Sequence, residues 1–190
     1  MPLRIACIVE GHGDARSIPG IVRRVAHAEG CYQVELLGPY RVNKGSLVRP
    51  EGLERAVERA SRALGGDGAV LVVVDADDDL PCQLGPLLTD RARAARGDVA
   101  ICVVIANREK EAWYLSAARS LRGQRGWPED ATPPPAPEAI RDAKGWIADV
   151  TGRSYSETTD QVALAALFGL SEARSASSFD RLYRFIQSQI

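Results

Sequence analysis

The sequence is short of the residues that build several specialised classes of protein. It has only four cysteines, Cys7, Cys31, Cys82 and Cys102, spread along 190 residues with no Cys-x-x-Cys pair, and only two histidines, His12 and His27. Nothing in those counts or spacings suggests a zinc site. Aromatic residues make up 6% of the chain and are not interleaved with basic ones, so the stacking platform of a single-strand binder is not written into the pattern. Twenty-four basic residues face 25 acidic ones, for a formal net charge of −1, and no global positive field exists to hold nucleic acid; binding of that kind needs a local patch. No apolar stretch approaches membrane-spanning length, and the N-terminal residues enter a strand-like run without a leader-like pattern, so a soluble cytoplasmic protein is expected. Internal repeats are absent. So are the phosphate-binding P-loop and the dinucleotide fingerprint.

What is present is alternation. Short apolar runs at residues 3–9, 32–37, 69–74 and 99–105 read as strands, and amphipathic stretches at 15–29, 50–64, 84–96 and 108–121 read as helices. This order predicts an α/β fold with a mostly parallel sheet of about four strands flanked by helices. Cys7 and Cys102 fall inside strands and read as small buried hydrophobes. Residues 123–137 carry five prolines and cannot continue a helix, so they read as a connector between a core at 1–122 and a helical extension at 138–190 packed on it. Helices are expected in that last part at 137–150, 158–168 and 178–188, with Ser178 and Asp180 near the last start as caps.

The strongest chemical signal is at 70–79, where Val-Leu-Val-Val-Val runs into Asp75-Ala-Asp77-Asp78-Asp79. Four carboxylates within five positions repel one another unless they are solvated or neutralised by a hard cation such as Mg2+. If the chain stays extended, Asp75 and Asp77 point the same way and can share an ion, with Asp79 joining and Asp78 facing away. A calcium loop is excluded, because its glycine position holds Leu80 and its last ligand position Pro86. The plainer reading is a solvated acidic turn before a helix. Glu10 ends the first strand in the same manner, and in parallel sheets ligands collect at that edge. Gly11 and Gly13 let the backbone after Glu10 approach a ligand closely, and the helix that follows offers N–H groups to phosphate. His12, in the same loop, is a phosphate contact or proton relay, or an exposed histidine without a role; His27, late in a helix, reads as surface or packing. After the fourth strand, Glu111 precedes the apolar run Ala-Trp-Tyr-Leu, which suggests a buried carboxylate that is either a further ligand or the partner of Arg108. Lys44, Arg49, Arg108 and Lys144 are candidate phosphate contacts.

The motifs Ile-Val-Glu-Gly-His-Gly-Asp at 8–14 and Val-Val-Asp-Ala-Asp-Asp-Asp at 73–79 resemble those of the Toprim domain found in topoisomerases, primases and the overcoming-lysogenization-defect type nucleases. Taken whole, the chain is similar to a bacterial family of Toprim-like domains of unknown function. That likeness is carried by Val9-Glu10-Gly11, Asp75 to Asp79, Arg108 to Trp113, Tyr155 with Asp160-Gln161, and Ser177 to Asp180. The resemblance implies a Toprim-like, Rossmann-like core in which Glu10 acts as general acid or base and Asp75 and Asp77 hold Mg2+, with Mn2+ as substitute, while Glu111 serves a second ion. It further implies phosphodiester hydrolysis on nucleic acid, in phage defence with an ATPase partner. A noncatalytic module that binds nucleotide or regulates such a partner is the competing expectation. A haloacid-dehalogenase-like phosphatase and a response-regulator receiver rank lower, since both place their acids after the first strand.

Overall fold

The computed structural model describes residues 2–190. Four strands, β1 (Leu3–Val9), β2 (Val34–Arg41), β3 (Ala69–Asp75) and β4 (Ala100–Ala106), form one sheet in the order β2-β1-β3-β4, with every pair parallel. The central strands β1 and β3 are apolar nearly throughout because both of their faces are covered. β2, at one edge, is only half-buried.

The sheet separates two apolar layers. On one face Ala6, Ile8, Val70, Val72 and Val74 meet α3 (Gly52–Leu64) through Leu53, Val57 and Leu64, and α4 (Pro81–Ala95) through Leu84 and Leu88. On the other face Ile5, Cys7, Val9, Leu71, Val73 and Val104 meet α1 (His12–Ala28) through Ile18, Val22 and Val25. The same cluster takes in α5 (Ala112–Ser116), α7 (Asp160–Leu167) and α9 (Ser177–Gln187), with α6 (Ala143–Thr151) and α8 (Leu170–Ala173) completing the tail. Trp127 and Ala131 of the proline-rich stretch are buried there too, so core, connector and tail share one continuous apolar interior. Cys7 and Cys102 are buried thiols within it.

Several boundaries differ from the sequence reading, each for a local reason. β2 runs on to Arg41 rather than ending at residue 37, because Gly38 and Pro39 are absorbed as a bulge: the register with β1 steps from Ala6↔Leu37 to Ile8↔Tyr40. α4 begins at Pro81, whose missing N–H costs nothing in the first turn. A short helix that the sequence reading lacked, α2 (Lys44–Val48), is opened by the Asn43 side chain accepting from the Ser46 N–H at 2.8 Å. The helix expected at 108–121 is broken. Arg108 lies in the left-handed region at φ 60°, its carbonyl accepting from the Asp77 N–H at 3.0 Å, so helix starts only at Ala112 and tightens to a 3-10 turn at Ala118–Leu121. The helix expected at 137–150 is likewise split. A 3-10 turn at Pro137–Ala139 is followed by α6, which Asp142 caps by accepting from the Gly145 N–H at 2.8 Å.

Candidate functional site

Glu10 follows β1, Asp75 ends β3 and Asn107 follows β4, so all three stand at the carboxyl edge of the sheet. The centre of this edge is a lysine. Lys110 is only 6% exposed, and its ammonium lies 2.8 Å from Asp14 Oδ1 and 2.9 Å from Asp75 Oδ2, while its backbone N–H donates to Asp75 Oδ1 at 3.0 Å. Burial opposes the charge on this ammonium, but Asp75, Glu111 and Asp14 outweigh it and raise its pKa well above the ordinary lysine range. Asp75 is itself pushed up, by burial first and by Asp14 in addition, against the pull of Lys110. For Asp14 burial also pushes upward. Lys110, the Gly11 N–H at 2.8 Å and the Gln161 amide at 2.7 Å more than reverse it, and its pKa falls below the usual carboxylate value.

Glu111 is fully buried. Its Oε1 accepts the Tyr155 hydroxyl at 3.0 Å, and its Oε2 has no partner among the described residues. Burial raises its pKa, with Asp75 adding to the effect and Lys110 and Lys144 opposing it. Glu10 is half-buried. Desolvation raises its pKa, the Lys44 backbone N–H and Lys110 oppose this, and repulsion from Asp75 and Asp77 adds to it, which puts Glu10 within electrostatic reach of both aspartates.

The aspartate run does not stay extended. Asp77 takes a left-handed backbone at φ 50° and the chain folds into a turn, the Asp79 N–H donating to the Ala76 carbonyl at 2.9 Å. Asp75 and Asp77 therefore do not share one ion-binding face as an extended chain would give. Asp75 meets Lys110, whereas Asp77 and Asp79 meet the Lys44 ammonium, each at 2.9 Å. Lys44 also reaches the Ala76 carbonyl. Asp78 points away to Arg108 at 3.0 Å and Arg141 at 2.7 Å, so Arg108 is the partner of Asp78 and not of Glu111. Among the described residues no three acidic, histidine or cysteine side chains converge on a metal-sized space, because the two lysine ammoniums stand among the acids.

His12 is exposed, with the Arg41 guanidinium against its ring, and His27 is exposed beside Tyr32. Lys144 bonds Glu157 at 2.6 Å and stands 3.7 Å from Glu109. Arg49 is exposed, its carbonyl accepting from Arg91. Gly11 gives its N–H to Asp14 rather than leaving it free. Gly13 is buried beneath the tail: a Cβ there would stand 2.0 Å from Gln161 Oε1 and 2.6 Å from the Glu157 carbonyl oxygen, so the small residue serves the docking of α7. Gly13→Ala is accordingly expected to cost about 1–3 kcal/mol by overpacking, read as a lowered urea midpoint at unchanged slope. A wild-type midpoint would mean that α7 yields freely.

Asp14, Lys110, Tyr155 and Gln161 all lie in the segments that carry the family resemblance, but none of the four is given a role at the site by the sequence. The signal for Asp14 was its place one helical turn after Glu10, and for Lys110 its place beside Glu111. Tyr155 and Gln161 are marked only by the family resemblance, and nothing in their local pattern points to the sheet edge, since the return of the tail brings them there.

The architecture and this edge define an α/β protein with a four-stranded, all-parallel sheet and a charged cluster at the carboxyl ends of its strands. The family described as Domain of unknown function (DUF4276) matches residues 9–187, and the chain belongs to that family. No curated protein and no solved structure gives a significant match. Among the described residues no helix is long and apolar enough to cross a membrane.

Proposed function

We propose that the protein is a Toprim-like, Mg2+-dependent phosphodiester hydrolase acting on nucleic acid. The observation that carries this reading is the crowding of Glu10, Asp14, Asp75 and Glu111 around one carboxyl edge, with Asp77 and Asp79 beside them. Oxygen donors of this kind suit a hard divalent ion, and the buried Oε2 of Glu111 has no protein hydrogen-bond partner among the described residues. By the resemblance, Glu10, Asp75 and Asp77, with Asp79 and Glu111 in support, would hold Mg2+ or Mn2+, and to do so the aspartates would have to exchange the Lys110 and Lys44 ammoniums for the ion. Such an ion, when bound, neutralises a phosphate oxygen and makes water a better nucleophile.

The chain's own residues divide the remaining work. Glu10 is half-buried with a raised pKa, as suits a general acid or base. Lys110 keeps Asp75 and Asp14 in place, and Tyr155 orients Glu111. Lys44, Arg108, Arg141 and Lys144 surround the acids with positive charge, which supports a phosphate-bearing substrate more than a purely acidic wall would. An ATPase partner and a place in phage defence belong to the same reading by resemblance alone. A noncatalytic nucleotide- or partner-binding module is the competing function, favoured by the engagement of Asp75, Asp77 and Asp79 with lysines of the chain itself.

The reading is tested in two arms. Mn2+ or Mg2+ is expected to raise the melting temperature, and Asp75→Ala with Asp77→Ala to abolish the rise; an unchanged response in the double variant contradicts the metal site. Purified protein, alone and with the ATPase partner, is expected to nick DNA or RNA in Mn2+, with Glu10→Gln at least about a hundredfold slower. Full cleavage by the glutamine variant would remove Glu10 from the mechanism, and a metal response without any cleavage would favour the module.

A further inference from the structure

A groove of about 1150 Å³ runs between α4 and α9 along the free edge of β4. One end lies at Pro81 and Asn107, two residues after Asp79 and one before Arg108, so this end of the groove is next in the chain to the acidic edge. Arg181, Arg184 and Phe185 project into it from one face of α9, and Arg93 and Asp90 from α4. Its lining thus carries three arginines against one carboxylate, on a chain whose formal charges nearly cancel. Arg93 has no carboxylate partner among the described residues. Arg181 donates through Nε to the Val103 carbonyl at 2.9 Å and lies against the buried Cys102 thiol. Arg184 is 70% exposed while bonding Asp180 and can swing to another anion.

We infer that this groove is the track for a single strand of nucleic acid leading to the acidic edge, an inference that rests on the proposed phosphodiester reading. Arg93, Arg181 and Arg184 contact successive phosphates, and the half-buried Phe185 ring offers a face for a base. The alternative occupant of an open sheet edge is an extended peptide that adds a strand to it. β4 is poorly prepared for that. The Val103 carbonyl is already capped by Arg181, and Ile101, Val103 and Ile105 are almost wholly covered, so a peptide would first have to expel the arginine.

The test is binding of a fluorescent oligothymidine of about twelve nucleotides, and of its uridine counterpart, to the full chain in EDTA, read by anisotropy over a range of salt concentrations. Arg93→Glu with Arg184→Glu is expected to weaken binding by tenfold or more and to flatten the dependence of log affinity on log salt by about 1–1.5. Arg55→Glu with Arg62→Glu makes the same charge change on exposed positions of α3 and is expected to leave affinity within about twofold. Equal losses in both variants, no loss in the groove variant, no binding by the wild type, or preferential binding of an oligoglutamate peptide each overturn the inference. Failure here is distinct from failure of the proposed chemistry. Asp75→Ala with Asp77→Ala is expected to retain oligonucleotide binding while losing the metal response, whereas a groove variant that still binds while Glu10→Gln stops nicking condemns the groove alone.

Discussion

Lys110→Met destabilises the fold by about 3–5 kcal/mol, the magnitude expected when one partner of a buried charge cluster is removed and the others stay behind. Methionine is close to lysine in length and fills the same space, so little of the loss is packing. The loss comes from Asp14 and Asp75, which each lie within 2.9 Å of the ammonium and are almost sealed from water. Glu111, fully buried and with one oxygen unpartnered, loses the positive charge that acts on it most strongly at the same time. The expected observation is a lower urea midpoint at unchanged slope, with Lys110→Met combined with Asp75→Asn losing less than Lys110→Met alone. A double variant no more stable than the single one would show that Asp75 is not the charge left stranded. Lys110→Met at wild-type stability would mean that the carboxylates are neutral in the folded protein.

Phe179→Ala costs about 3–5 kcal/mol, as for other buried large aromatics. Phe179 is fully buried on α9, and its ring packs at 5.3 Å from Trp113, 5.4 Å from Phe168 and 6.4 Å from Tyr183, edge-on in each case. Next to it, Ser178 Oγ accepts the Trp113 indole N–H at 2.9 Å and donates to Glu138 at 2.7 Å. The tail is therefore fastened to α5, which begins just after the charged cluster. Its loosening is felt by the whole core, and the variant is expected to unfold in one transition at a lower midpoint, the same by far-ultraviolet circular dichroism and by tryptophan fluorescence. Two separated transitions would show instead that the tail melts as an independent unit.

Much of this architecture is legible along the chain. Leu3 to Val9 and Ala69 to Asp75 are apolar without alternation, and such runs between amphipathic segments have few solutions other than the inner strands of a covered parallel sheet. An acid that directly follows such a strand must lie at its carboxyl edge, so the placing of Glu10 and Asp75 on one rim follows from sequence order once the sheet is parallel. Where a strand carried punctuation, as β2 does at Gly38-Pro39, the pattern misled, because a bulge tolerates residues that a regular ladder rejects.

The amino-acid order by itself determined the α/β class, the covered sheet and the presence of an acidic rim, since these depend on local periodicity and on which residue ends each strand. Only the tertiary structure decided how the acids are satisfied. The left-handed turn at Asp77 sends that carboxylate to Lys44 and leaves Asp75 to Lys110, while Tyr155 and Gln161 arrive from the far end of the chain to complete the cluster. A charge buried at a sheet edge takes whichever counter-charge the packing brings to it, and that choice is made by segments distant in sequence.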